Sequence, residues 1–154
     1  MKVGRKRETT TPLVWEPPYL GSQKSLVPDM IMELEGHTFL FDAKYKRHWE
    51  EFQGRSWGEI EEQVREAHRQ DLLQVLAYGN VSDARFQVCC LVYPCSQATW
   101  ESLRSRGRLF HKAEIPSRSR RTQVWLTAVP MSARTEQVAA PLVEEVLNLR
   151  RMAS

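Results

Sequence analysis

The sequence predicts an α/β fold, a mixed central β-sheet flanked by helices. Three observations predict it. Two apolar runs, Ser25–Leu34 and Thr38–Lys46, flank Glu35-Gly36 and read as a β-hairpin. A helical stretch, Glu59–Tyr78, follows, with a break expected near His68. After it, Arg85–Tyr93 reads as a buried strand ended by Pro94. A strand–helix–strand passage of this kind builds parallel strands through a right-handed crossover.

The remaining elements follow in chain order. Residues 1–11 read as a basic, turn-rich segment with a flexible character, and residues 12–154 as a single domain. Leu13-Val14-Trp15 is expected as a short first strand. His48–Trp57 is a polar connection whose Trp49, Phe52 and Trp57 are expected to cover the core rather than stack on bases. Gly79-Asn80 stops the long helix. Thr99–Arg106 reads as a short helix, and Arg108–Ile115 and Thr122–Val129 as strands. Ala139–Arg151 is an amphipathic helix with Leu142, Val143, Val146, Leu147 and Leu149 as its apolar stripe.

The hairpin carries the chemistry. Side chains two residues apart on a strand share a face, so Asp42, Lys44 and Lys46 project together. Phe39, Phe41, Ala43 and Tyr45 project the other way, toward the expected core. The run Phe39-Leu40-Phe41 implies a strand covered on both faces. If Glu35-Gly36 is a two-residue loop, Asp29 stands directly opposite Asp42, whereas a one-residue slip would send them to opposite faces. Opposed residues have Cβ atoms about 4.5–5.5 Å apart. Two carboxylates at that spacing repel unless a cation lies between them. Oxygen ligands of this kind suit Mg²⁺, with Mn²⁺ as substitute, and the Ala43 backbone carbonyl would add a third ligand. Lys44 beside the bound water would orient it, lower its pKa or steady charge on phosphorus. Taken singly, Asp-x-Lys is usually a solvated strand face and Pro-Asp a turn; their joint occurrence across one tight hairpin favours a site.

At 154 residues and 42% hydrophobic, the chain is large enough for one core. No apolar run approaches the roughly 20 residues that cross a bilayer, and no signal-peptide pattern follows the basic start, so a cytoplasmic protein is expected. Cys89, Cys90 and Cys95 form no C-x-x-C pair, which argues against zinc or iron–sulfur centres. His37, His48, His68 and His111 are scattered and read as surface or structural. Net charge is only +3, but the basic residues cluster. Lys2, Arg5, Lys6 and Arg7 form one group, Arg104, Arg106, Arg108 and Lys112 a second, and Arg118, Arg120 and Arg121 a third. With Lys46, the second and third groups are the candidate nucleic-acid contacts, because arginine forks bind phosphate bidentately. The first group reads equally well as a solvated tail.

The Pro28-Asp29 and Asp42-Ala43-Lys44 elements resemble the two core motifs of the PD-(D/E)XK nuclease superfamily. Gln74-Val75-Leu76-Ala77-Tyr78 is similar to the Q-x-x-x-Y motif of its RecB-like and McrC-like branch. The resemblance covers roughly residues 13–130. It implies a restriction-endonuclease-like core, Asp29 and Asp42 as metal ligands, Lys44 as catalytic lysine, and Gln74 and Tyr78 on a helix lining the site. Gln74 and Tyr78 stand i and i+4, with Asp71 one turn earlier on the same face. The activity implied is Mg²⁺-dependent cleavage of DNA, in restriction, phage defence or DNA processing; RNA is not separated from DNA. Many members carry an acidic helix before the first core strand, and no such helix is read here. Either the chain is a minimal member, or it is one domain of a longer protein, or a partner subunit completes the site; a homodimer would let one domain cut each strand, with Ala139–Arg151 a candidate dimer face. The lack of that helix also leaves a second class open, a non-catalytic nucleic-acid-binding or assembly module that keeps the fold.

Overall fold

The structure, a computed structural model, describes residues 2–3, 10–14, 16–17, 25–45, 62–116, 119–132 and 134–153. Lys46, Arg118, Trp49, Phe52 and Trp57 lie outside them. The strands are β1 (Lys2–Val3), β2 (Thr11–Pro12), β3 (Ser25–Leu26), β4 (Met30–Leu34), β5 (His37–Ala43), β6 (Phe86–Cys95), β7 (Phe110–Ile115) and β8 (Arg121–Pro130). The helices are α1 (Glu62–Tyr78), α2 (Gln97–Ser105) and α3 (Thr135–Ala153). Six strands form a mixed sheet in the order β1-β4-β5-β6-β8-β7, with β5, β6 and β8 parallel and the other pairings antiparallel. The α/β class expected from sequence is therefore observed.

Helices cover both faces. Strand β6 runs through the centre, and its side chains alternate between the two cores. Cys89, Leu91 and Tyr93 pack with Leu40, Val75, Tyr78, Trp100 and Leu103 beneath α1 and α2. Val88 and Cys90 pack with Phe39, Phe41, Trp125, Val146 and Leu149 beneath α3. Each large apolar side chain so buried contributes about 1.5–3 kcal/mol relative to exposure. All three cysteines are buried thiols outside any disulfide. Burial pushes the Cys89 thiol up to about 12, so it stays an inert hydrophobe.

Several expectations need correction. Leu13 and Val14 lie outside any strand, Val14 being almost fully exposed; the short strand is Thr11–Pro12, paired with Ser25–Leu26. Ser25–Leu34 is not one strand, because the chain leaves the ladder around buried Pro28 before β4 begins. Lys2–Val3, in the basic segment, pairs with Met30-Ile31 at the sheet edge. Helix α1 runs unbroken through His68, which is buried. Strand β6 continues through Pro94 to Cys95. Val92 O accepts from Lys44 N, so Pro94, two residues on, faces the same side, where β5 has already ended. Its missing N–H thus costs no ladder bond. Tyr45 and Ala43 are exposed rather than core, because they lie at and beyond the end of β5. Val143 and Leu147 of the expected stripe are 54% and 39% exposed, and only Leu142, Val146 and Leu149 meet the sheet. Among the described residues, no helix is long and apolar enough to cross a membrane.

Candidate functional site

The β4–β5 hairpin adopts the expected register. Leu34 pairs with His37, and Met30 with Phe41. Glu35 and Gly36 are the two loop residues, with φ of 48° and 80°. Positive φ at both central positions is the backbone of a type I′ turn, whose twist matches the flanking strands. One step beyond the ladder the same register brings Asp29 beside Asp42. The Asp29 carboxylate is anchored there, its Oδ2 accepting from Ala43 N at 2.8 Å. The contact the structure shows for Ala43 is therefore through its amide.

Asp42 shares a face with Leu40 and points under α1. Lys44 follows β5 and reaches back over the same face. Its Nζ lies 2.6 Å from Asp42 Oδ2, 3.1 Å from Asp71 Oδ1 and 2.7 Å from Gln74 Oε1. Gln74 Nε2 in turn donates to Tyr78 Oη at 2.6 Å. So Asp29, Asp42, Lys44, Gln74 and Tyr78, expected as one site, converge at the carboxyl ends of the parallel strands β5 and β6, where open α/β sheets build binding crevices.

Burial grades the cluster. Asp42, Tyr78 and Tyr93 are buried, while Asp29 and Gln74 are exposed at the rim. Burial raises the Asp42 carboxyl above its ordinary value against the pull of Lys44, and Asp29 and Asp71 push it the same way. Burial alone would lower Lys44, but its hydrogen bonds and charge contacts with Asp42 and Asp71 outweigh that and hold it raised, as an ammonium. Burial also raises Tyr78, keeping it a phenol.

Two observations bear on whether a divalent cation fits here. Asp42 Oδ2 is buried and has no well-aligned hydrogen bond; its contact with Lys44 is short but poorly directed. Among the described residues, three neighbouring carboxylates, Asp29, Asp42 and Asp71, stand with one ammonium, a formal excess of two negative charges. Both suit one divalent cation held by Asp29 and Asp42. Among the described residues, no three or more His, Cys, Asp or Glu form a metal-holding group. The expected set of two carboxylates and a carbonyl is smaller than that.

The basic residues divide. Ala43, Val92, Thr127 and Phe110 form one row across the sheet. At about 4.8 Å per strand, Phe110 is about 14 Å from Ala43. Arg108, two residues before Phe110, and exposed Arg104 and Arg106 therefore sit at the same end of the sheet as the carboxylates. Arg104 stacks over Trp100 at 5.3 Å, and Arg106 Nε donates to Ser102 O at 3.0 Å. Arg121 is different: it pairs with Phe86, five residues before Leu91, the neighbour of Asp42. That is about 17 Å toward the opposite end. There Arg121 forks onto Glu114 at 3.2 and 3.3 Å, and Arg120 Nη1 donates to Gly79 O at 2.8 Å. The structure does not bring Arg120 and Arg121 to the carboxylates.

Sequence reasoning passed over Tyr93 and His68, and noted Asp71 only as a neighbour. Tyr93 Oη donates to Asp71 Oδ2 at 3.0 Å, and His68 Nδ1 lies 2.9 Å from Tyr93 Oη. The spacing of His68, Asp71, Val75 and Tyr78 on one helix face was the available signal. The chain matches no known protein family and no curated protein.

Proposed function

We propose that the chain is a divalent-metal-dependent nuclease with a restriction-endonuclease-like core, of the PD-(D/E)XK superfamily in its RecB- and McrC-like branch. On this reading it hydrolyses phosphodiester bonds in DNA as an endonuclease of restriction, defence or DNA processing. One observation carries the reading. Asp29, Asp42, Lys44, Asp71 and Gln74, drawn from three separate segments, meet at one end of the sheet, with a formal excess of two negative charges among the described residues. Asp29 and Asp42 would hold Mg²⁺ or Mn²⁺, which supplies an activated water and Lewis-acid stabilisation of the leaving oxygen. Lys44, held as an ammonium, is suited to steadying negative charge on the phosphoryl oxygens rather than to taking a proton. Gln74, at the rim and anchored by Tyr78, would orient a water or phosphate oxygen. Exposed Arg104, Arg106 and Arg108 would hold the backbone leading to the site.

A second reading, a non-catalytic nucleic-acid-binding module, is favoured by one observation. Lys44 already neutralises part of the carboxylate repulsion, so the cluster does not need a metal to fold. Cleavage of supercoiled plasmid and single-stranded DNA with Mg²⁺ or Mn²⁺, beside EDTA and Lys44→Ala controls, separates the two. The nuclease reading expects metal-dependent cutting that Lys44→Ala abolishes, and a metal-induced rise in melting temperature that Asp29→Ala removes. A folded chain that binds DNA, neither cuts nor responds to metal, and keeps its affinity in Asp42→Ala would establish the module instead.

A further inference from the structure

The Lys44 ammonium is surrounded by three acceptors of the protein, with ion pairs to Asp42 and Asp71 and a hydrogen bond to Gln74. Asp71 is the charged partner braced in turn by a buried side chain of the sheet. A carboxylate only accepts, so the single proton of Tyr93 Oη must go to Asp71 Oδ2. The phenol oxygen can then only accept from His68, which fixes the proton of the His68–Tyr93 contact on Nδ1. The result is a directed chain in which His68 donates to Tyr93, Tyr93 donates to one oxygen of Asp71, and Lys44 donates to the other. His68 and Asp71 lie one turn apart on α1, while Tyr93 rises from β6 beneath them, buried with no solvent exposure. A carboxylate pinned at one oxygen by a buried phenol cannot swing with solvent. Whatever its other oxygen holds is held in place.

We propose that Asp71 is the positioning residue of Lys44, fixed by Tyr93 and through it by His68. Asp71 does not touch substrate. It keeps the Lys44 ammonium over Asp42, in the orientation from which the amine meets a phosphate. Such outer partners of a reactive group commonly contribute about 10- to 100-fold to activity. The inference rests on the nuclease reading for its kinetic consequence, though not for the held ammonium itself.

The test combines kinetics with a signal that needs no catalysis. Asp71→Asn keeps the shape and removes the charge. It is expected to lower kcat about 10- to 100-fold while KM and the Kd for DNA stay at wild-type values. Tyr93→Phe is expected to lower kcat less, again with KM unchanged. In protein labelled with ¹⁵N-lysine, a held ammonium gives a slowly exchanging side-chain signal, assigned to Lys44 by its absence in Lys44→Met. That signal should disappear in Asp71→Asn and weaken in Tyr93→Phe. Wild-type kcat in Asp71→Asn, a parallel loss of DNA affinity, an unchanged ammonium signal in Asp71→Asn, or no protected ammonium in the wild type would each overturn the assignment. If the wild-type chain neither cuts DNA nor responds to metal, the nuclease reading fails, while the ammonium signal still decides whether Asp71 holds Lys44.

Discussion

Replacing Lys44 with methionine keeps the aliphatic stem and deletes the charge, which isolates the electrostatics of the cluster. The Lys44 and Asp42 side chains are 13% and 7% exposed, so solvent screens their contact little. Removing one partner of a buried ion pair costs about 3–5 kcal/mol when the remaining charge must stay ionised. Asp42 has an alternative, which is to take up a proton. In Lys44→Met its carboxyl, already raised by burial, goes higher still. The folded state then keeps a proton that the unfolded chain has released, and folding weakens as pH rises above the carboxyl's ordinary 3.8. The loss grows by at most about 1.4 kcal/mol per pH unit, which sets a ceiling of about 4 kcal/mol at pH 7 and about 1.6 kcal/mol at pH 5. Wild-type Asp42 carries part of the same penalty, so the difference between the proteins falls below that ceiling. Urea unfolding followed by fluorescence of the buried Trp100 and Trp125 measures it at both pH values. The expectation is a destabilisation of about 2–4 kcal/mol at pH 7 that shrinks to under about 1.5 kcal/mol at pH 5. Adding Asp42→Asn to Lys44→Met should recover much of the loss, because no charge is then left buried alone. A mutant as stable as wild type at pH 7, or one equally destabilised at both pH values, would refute the reasoning.

Two further predictions follow from geometry. On the nuclease reading, the triple variant Arg104→Ala/Arg106→Ala/Arg108→Ala weakens DNA binding, and the salt dependence of log Kd flattens by about 0.9 for each phosphate no longer neutralised. Arg120→Ala/Arg121→Ala leaves that slope alone and lowers the melting temperature, since those arginines bind Gly79 O and Glu114 at the far end; equal slopes for both variants would refute the assignment of the basic track. Glu35 occupies a positive-φ turn position that asparagine tolerates better, so Glu35→Asn is expected to stabilise by about 0.5–1 kcal/mol in chemical denaturation, and a loss of stability would show that the turn is not type I′ in solution.

The hairpin was legible in the sequence because its determinants are local. Glu35-Gly36 sets the loop, the period of two sets the faces, and together they fix Asp29 against Asp42 without knowledge of any other element. The Gln74–Tyr78 spacing was legible for the same reason on α1. What the sequence hid depends on contacts between elements. Tyr93 reads as one more apolar residue in a buried strand, and only the pairing of β6 with β5 beneath α1 brings its hydroxyl to Asp71. His68 reads as a flaw in a helix, yet its ring is buried against that same tyrosine. The arginines misled in a different way. Sequence proximity put Arg120 and Arg121 into a phosphate-binding cluster, whereas the start of β8, where they stand, lies at the end of the sheet away from the carboxylates.

The three acceptors around Lys44 are unequal, and the inequality bears on how a substrate would be met. Two are carboxylates, and one of them, Asp71, is itself braced by a buried phenol. The third is the neutral amide oxygen of Gln74, on an exposed residue. The Lys44–Gln74 bond is charge-assisted by the ammonium alone, whereas the contacts with Asp42 and Asp71 are ion pairs between two charged groups. An anionic phosphate oxygen arriving from the rim would therefore displace Gln74 before either carboxylate, trading a weak acceptor for a charged one. Gln74 keeps its second contact, to Tyr78, and so has somewhere to go when it yields. The same step brings another negative charge to a cluster that, among the described residues, already carries a formal excess of two, which the Lys44 ammonium does not offset. On the nuclease reading, binding a phosphodiester here and binding a divalent cation here are thermodynamically linked, each strengthening the other.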